Sequence, residues 1–364
     1  MPKLSNIFYV SLFYLYFFTS SVAFCEEDLK ENISLQNIDK MEIIKQKMIF
    51  YNNIYPEIQF MQLKGNETWQ DDIVTAVTLL GNQPDNLDFE HPPELNEALL
   101  NASITRLSVT MQSDIISAAL FKVGTNSILV RPNLCIITLD PDTFIMEPLQ
   151  ATNQMLNLSE KELKSINKDR LLNPLAHFEF TIDHEVFHCI DSYVFGGAPM
   201  TLKKYGGERN LFRRESAADA FALAMHIRKQ KERTSYANNI THVRALWLFT
   251  ESPNRCSFES MLSVLETSVE KILSMTNFQL INYIVKVTKQ HVGDYDFYVK
   301  QRAAAFKAAK ALGLNSSLYG DVWKNIESVK VDDRQVDFRI KRYQYYYKQL
   351  FASDDEIKFI PSVP

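Results

Sequence analysis

The stretch Thr181-Ile182-Asp183-His184-Glu185-Val186-Phe187-His188-Cys189-Ile190-Asp191 is the part of this 364-residue chain around which the rest is organised. It contains H-E-x-x-H. On a helix, residues four apart leave the same face one turn apart, so His184 and His188 present their rings side by side. Two imidazole nitrogens placed this way can reach one zinc ion at ~2.0–2.1 Å. Glu185 points to a neighbouring side, where a carboxylate can take a proton from water and later deliver it to a leaving amine. Histidine is scarce, 7 of 364 residues, which makes a chance match uncommon. Apolar residues at Phe178, Ile182, Val186, Phe187 and Ile190 frame the motif, and Pro174 marks a helix start.

A catalytic zinc needs a third protein ligand and an open position. The segment Arg214-Glu215-Ser216-Ala217-Ala218-Asp219, which begins 26 residues after His188, supplies the candidate, Glu215. Glu215 and Asp219 share a helix face, and Ala217, Ala218, Ala220, Ala222 and Ala224 let that helix come close to the first. Asp219 is then placed to accept the second N–H of a ligating histidine and fix the ring. Asp191 is the rival. It shares a face with His188 but lies two turns from His184 on a short side chain, so the expectation is a supporting or helix-terminal role.

H-E-x-x-H followed by E-x-x-A-D resembles the zincin metallopeptidases of the gluzincin type. The resemblance covers residues ~175–225. It implies Zn2+ held by His184, His188 and Glu215, with Glu185 activating water against a peptide or protein substrate. It also implies a zincin-like core with a small β-sheet ahead of the metal helix, one edge strand of which aligns the substrate. The fold class expected is α+β, predominantly helical, with a helical C-terminal half. His242, at a loop-to-helix junction, is the leading candidate for a donor to the oxyanion, ahead of Tyr236 and His291. His226 is expected on an outer surface.

Outward from the motif, residues 1–25 read as a signal peptide: one lysine, an apolar run from Ile7 to Phe24, and small residues at Ser21 and Ala23. A secreted or periplasmic protein follows, or one anchored by that run left uncleaved. Loss of Lys3 moves the net charge from −5 to about −6. That balance gives no basic excess for nucleic acid. Residues 26–122 read as helical, a packing layer or propeptide, with stripes over Met41–Met61, Thr68–Leu80 and from Glu94 to Leu120. Ser127–Arg131 and Leu134–Leu139 read as two strands. Residues 123–235 form the expected catalytic core and 236–364 a helical region packed on it. Of the four cysteines, Cys189 reads as a buried thiol, and a Cys135–Cys256 bridge is conceivable. The competing functions are a zinc protein without peptidase activity, acting as a binding module or effector, and a helical interaction protein in which the motif is accidental.

Overall fold

In a computed structural model of the chain, the residues described are 40–64, 116–121, 133–139, 148–150, 152, 160–194, 206–246, 257–313 and 326–351. They are predominantly helical. In chain order they form α1 (Lys40–Ile54), β1 (Ile58–Lys64), β2 (Ile116–Phe121), β3 (Asn133–Leu139), α2 (Glu160–Ser165) and α3 (Pro174–Val194). Then come α4 (Gly206–Gln230), α5 (Ser235–Leu246), α6 (Phe258–Glu266), α7 (Val269–Ser274), α8 (Asn277–Val292), α9 (Tyr295–Ala311) and α10 (Asp333–Phe351).

α4 is the axle. It packs against α3, α5, α6, α7, α8 and α9, and every residue from Ser216 to Ile227 is buried. A helix closed in on all sides must be apolar or small all round. The alanines meet that need, because a methyl group lets neighbouring backbones approach. Lys231, at φ 58°, stops the helix in the left-handed region. Thr234 then opens α5, its Oγ1 accepting the Ala237 N–H at 3.2 Å. α3 starts where a proline at its first position is tolerated: Asn173 Oδ1 accepts the Ala176 N–H at 2.9 Å, and Pro174 has no N–H to leave unpaired.

One continuous core joins α1, β1, β3, α3 to α8 and the end of α10, running from Ile44 to Leu350. A second cluster under α9 includes Phe212, Val292, Tyr298 and Phe306. The strands lie in the order β1-β3-β2, with β1 parallel and β2 antiparallel to β3. α1 and β1 share that core with α3, and β1 and β2 flank β3 in one sheet.

Three expectations need correction. Residues 26–122 are not uniformly helical. The Met41–Met61 stripe is cut at Pro56, which disfavours helix at the residue before it, and Ile58–Lys64 continues as strand. Ile116–Leu120, read as the end of a helix, lies in β2. Short apolar runs such as these carry no period that separates helix from strand. β3 is the central strand, paired on both sides, so the Leu134–Leu139 segment has no free edge for a substrate. Finally, Cys189 is not a free thiol: it is bonded to Cys135, 54 residues away in sequence. Thr68–Leu80, Ser127–Arg131, Cys256 and the signal-peptide segment lie outside the described residues. Among the described residues no helix is long and apolar enough to cross a membrane.

Candidate metal centre

α3 and α4 lie side by side and bring four predicted residues together. His184 Nε2 and His188 Nε2 are 3.1 Å apart. The Glu215 carboxylate straddles them, Oε2 3.4 Å from the first nitrogen and Oε1 3.5 Å from the second. Donor atoms held tetrahedrally at 2.0–2.2 Å from one ion are about 3.3–3.6 Å apart. The two carboxylate separations fall in that range, each through a different oxygen, and the ring nitrogens lie slightly closer. Glu185 Oε1 lies 4.0 Å from His184 Nε2. His184, Glu185 and His188 together form a group that could hold a metal ion, with ligand atoms within 4.8 Å of one another. Two carboxylates thus compete for the third ligand position. Glu215 is the nearer and touches both histidines, which leaves Glu185 to the side of the site.

Asp219 holds His184 from behind. Its Oδ1 is 2.7 Å from His184 Nδ1. That contact puts the Nδ1 hydrogen toward the aspartate and turns Nε2 to the site. The carboxylate has two further partners. Arg244 Nη2 donates to Oδ1 at 2.9 Å, and the Ser257 hydroxyl donates to Oδ2. Arg244 Nε is 2.8 Å from Oδ2 but lies off-line for a hydrogen bond, so its contribution there is charge. Burial pushes the Asp219 carboxyl up, yet Arg244, His184 and Ser257 outweigh it and hold it below the usual range.

The two histidines titrate in opposite directions. Burial pushes His184 down, but Asp219 and Glu215 outweigh that and raise it to about 10. Burial takes His188 down to about 4 despite Glu215. In the metal-free chain a proton on His184 therefore supplies the positive charge that the two carboxylates call for. A cation shared by both rings answers the same demand and frees the proton.

Arg244 and Ser257 are partners of Asp219 that the motif did not reveal. The one available signal was physical: a buried aspartate needs a cationic or hydrogen-bonding partner. His242, the residue the sequence favours, does not face the site. His242 packs on the Tyr346 ring at 4.9 Å, in a small cavity also lined by Arg170, Asn239 and Leu350. Two residues along a helix swing a side chain to the other side, so Arg244 faces the site and His242 faces α10. Asp191, expected in a supporting or helix-terminal role, lies in the last turns of α3 and acts on His188 by its charge. Its carboxylate takes Arg213 in a two-point contact at 2.8 and 2.9 Å, with Arg214 Nε at 3.5 Å. It clamps α3 to α4, while His188 Nδ1 is buried with no hydrogen-bond partner. His226 is buried, its Nε2 2.7 Å from Thr234 Oγ1. Tyr236 is buried with its hydroxyl 3.2 Å from His177 Nδ1, and His291 meets Ser263 at 2.8 Å.

On its far side α3 is tied twice more. Asp183, next to His184, receives Lys47 Nζ at 2.7 and 2.8 Å and the Tyr51 hydroxyl at 2.7 Å, both from α1. Cys189, next to His188, is bonded to β3. No family model, no curated protein and no solved structure matches the chain.

Proposed function

We propose that this chain is a zinc-dependent peptidase of the gluzincin kind, holding the ion through His184, His188 and Glu215. The observation that carries the reading is the Glu215 carboxylate straddling the two Nε2 atoms at 3.4 and 3.5 Å, with Glu185 beside them. When bound, zinc supplies a Lewis acid that acidifies water and polarises a carbonyl. The chain does the rest. Asp219 keeps the His184 hydrogen on Nδ1 so that the Nε2 lone pair stays available. Glu185 accepts the proton of the attacking water and passes it to the departing amide nitrogen. Hydrolysis then consumes one water and yields a new carboxylate and a new amine.

The substrate is a peptide in extended form. β2 lies against α3 and, among the described residues, pairs only with β3, at the edge of the sheet. Backbone pairing to such an edge holds a peptide whatever its side chains. The Cys135–Cys189 bond fits an oxidising compartment, in keeping with secretion through residues 1–25.

The test pairs zinc content with activity. The purified protein should carry about one zinc per chain and cleave peptides. Glu185→Gln should keep the zinc and lose about 10²–10⁴-fold in rate, the range a general base provides. Zinc retained with no cleavage by the unaltered protein would leave the binding-module reading; absence of zinc at neutral pH would end both.

A further inference from the structure

The two histidines of the metal centre are held by different means. His184 is fixed through its ring, by the Asp219 carboxylate 2.7 Å from Nδ1. The same atom of His188 is buried and meets no hydrogen-bond partner among the described residues. A ligating ring ordinarily has such a partner, and its loss typically costs 10–100-fold in metal affinity. What fixes His188 therefore acts through its backbone.

The next residue supplies that hold. Cys189 is bonded to Cys135 on β3. Cys135 is a firm anchor: it lies in the central strand, opposite Phe60 on one side and Leu120 on the other. Both cysteines are fully buried. Successive residues on a helix are turned by about 100°, so Cys189 reaches the sheet while His188 faces α4. Ahead of His184, Asp183 is tied to α1 by Lys47 and Tyr51. The run from His184 to His188 is thus bracketed by a polar tie before it and a covalent one after it. Metal–ligand distances tolerate about 0.2 Å, whereas packed helices shift by about 1–2 Å. The disulfide removes that freedom at the residue beside the ligand.

We propose that the Cys135–Cys189 bond positions His188, so that the metal centre reaches full affinity only once the two thiols are oxidised. This rests on the zinc reading, and the two can fail separately. Oxidation proceeds by exchange with a disulfide donor such as oxidised glutathione. The Cys135–Cys189 bond forms, the donor's S–S bond breaks, and two electrons and two protons pass to the donor, which leaves as two thiols. In a reducing compartment the chain is then a weak zinc binder, and its site is completed in an oxidising one.

The test compares full-length oxidised protein with its Cys135→Ala/Cys189→Ala variant by chelator competition for zinc, without denaturant, folding being checked by near-UV circular dichroism. About one zinc per chain is expected in both, with affinity at least tenfold lower in the variant. Lower stability alone does not move the affinity of a chain that is folded. The loss should vanish in a His188→Gln background and persist in a His184→Gln background, because only His188 depends on the bond. Equal affinities overturn the proposal, as does a loss of the same size in both backgrounds. No zinc on the unaltered protein at neutral pH would end the metal reading itself. Should the variant not fold, the coupling is read in reverse on the unaltered protein. Zinc must then stabilise the bond by the same factor, a shift of about 30 mV to more negative reduction potential for tenfold. A potential that zinc leaves unchanged or raises overturns the proposal.

Discussion

α3 carries a buried aspartate contact on each of two sides, and the two differ in what they do. On the α4 side Asp219 takes His184, Arg244 and Ser257. On the α1 side Asp183 takes Lys47 and Tyr51. Both carboxylates are about 2 % exposed or less. Burial pushes Asp183 up, and Lys47 and Tyr51 do not fully offset it; Asp219 is held low. The difference lies in the partners. Arg244 is always charged and acts on Asp219 together with His184 and Ser257, whereas Asp183 has one lysine, a flexible point charge, and a neutral tyrosine. The side that faces the metal centre is held rigidly ionised, as a group orienting a ligand must be. The side facing α1 anchors the helix and need not be so exact.

The largest effect should come from breaking the first side. Asp219→Ala takes from the buried Arg244 its carboxylate partner, a loss that typically costs about 3–5 kcal/mol. It also frees His184 to turn, for which the expected loss is 10–100-fold in zinc affinity. Urea unfolding and a chelator competition measure the two separately. Adding Arg244→Met to Asp219→Ala should recover much of the stability and none of the affinity. Recovery of both would mean that Asp219 orients nothing and only neutralises Arg244.

The site residues on these two helices were legible because the chemistry is local. H-E-x-x-H and E-x-x-A-D each occupy a single turn or so, and helical spacing alone puts His184 beside His188 and Glu215 beside Asp219. What joins distant segments was not legible. Lys47 is 136 residues from Asp183, and nothing in either neighbourhood names the other. A Cys135–Cys256 bridge was conceivable and Cys135–Cys189 is the one formed, because spacing says nothing about which sulfurs meet. Ile58–Lys64 and Ile116–Phe121 were drawn into helices because a strand is defined by its partner, and both partner β3.

The disulfide should rank next. Cys135–Cys189 closes a loop of 54 residues, and loss of such a bond costs about 2–4 kcal/mol. The Cys135→Ser/Cys189→Ser double variant should unfold at lower urea by that amount, and reductant should bring wild-type protein to the same midpoint. A midpoint insensitive to reductant would show that the packing of β3 on α3 needs no covalent tie.

The α1 contact comes third and sharpens the contrast with Asp219. Lys47→Met leaves Asp183 buried without its cation, at a cost of about 1–3 kcal/mol near neutral pH, because Lys47 is partly solvated at 15 % exposure. Zinc affinity should stay within about threefold, since Asp183 touches no ligand. The sign with pH follows from the raised carboxyl. Without Lys47 it rises further, the protonated form is favoured in the folded chain, and acidification relieves the penalty. The gap between variant and wild type should therefore narrow from pH 7.5 to pH 5; a gap that widens would place the charge elsewhere.

The smallest expected effect separates the two kinds of histidine. Burial holds His226 at about 4, against an ordinary value near 6.5. Its folded form thus resists protonation. The stability it contributes is complete above about pH 6.5 and is lost as pH falls toward 4, because the unfolded chain binds the proton more readily. After allowance for partial solvent screening, the contribution is about 1–2 kcal/mol. His184 has the opposite sign in metal-free protein. Raised to about 10, it stabilises fully below about pH 6.5, and that contribution is lost as pH climbs through 10. His226→Gln should flatten the acid limb of the unfolding profile between pH 6.5 and 4 and leave the alkaline limb alone. His184→Gln in metal-free protein should do the reverse. Zinc should erase the His184 effect, because a ligand nitrogen that holds the ion cannot also hold the proton. An alkaline limb identical with and without zinc would count against His184 as a ligand, however well the triangle of donor atoms is shaped.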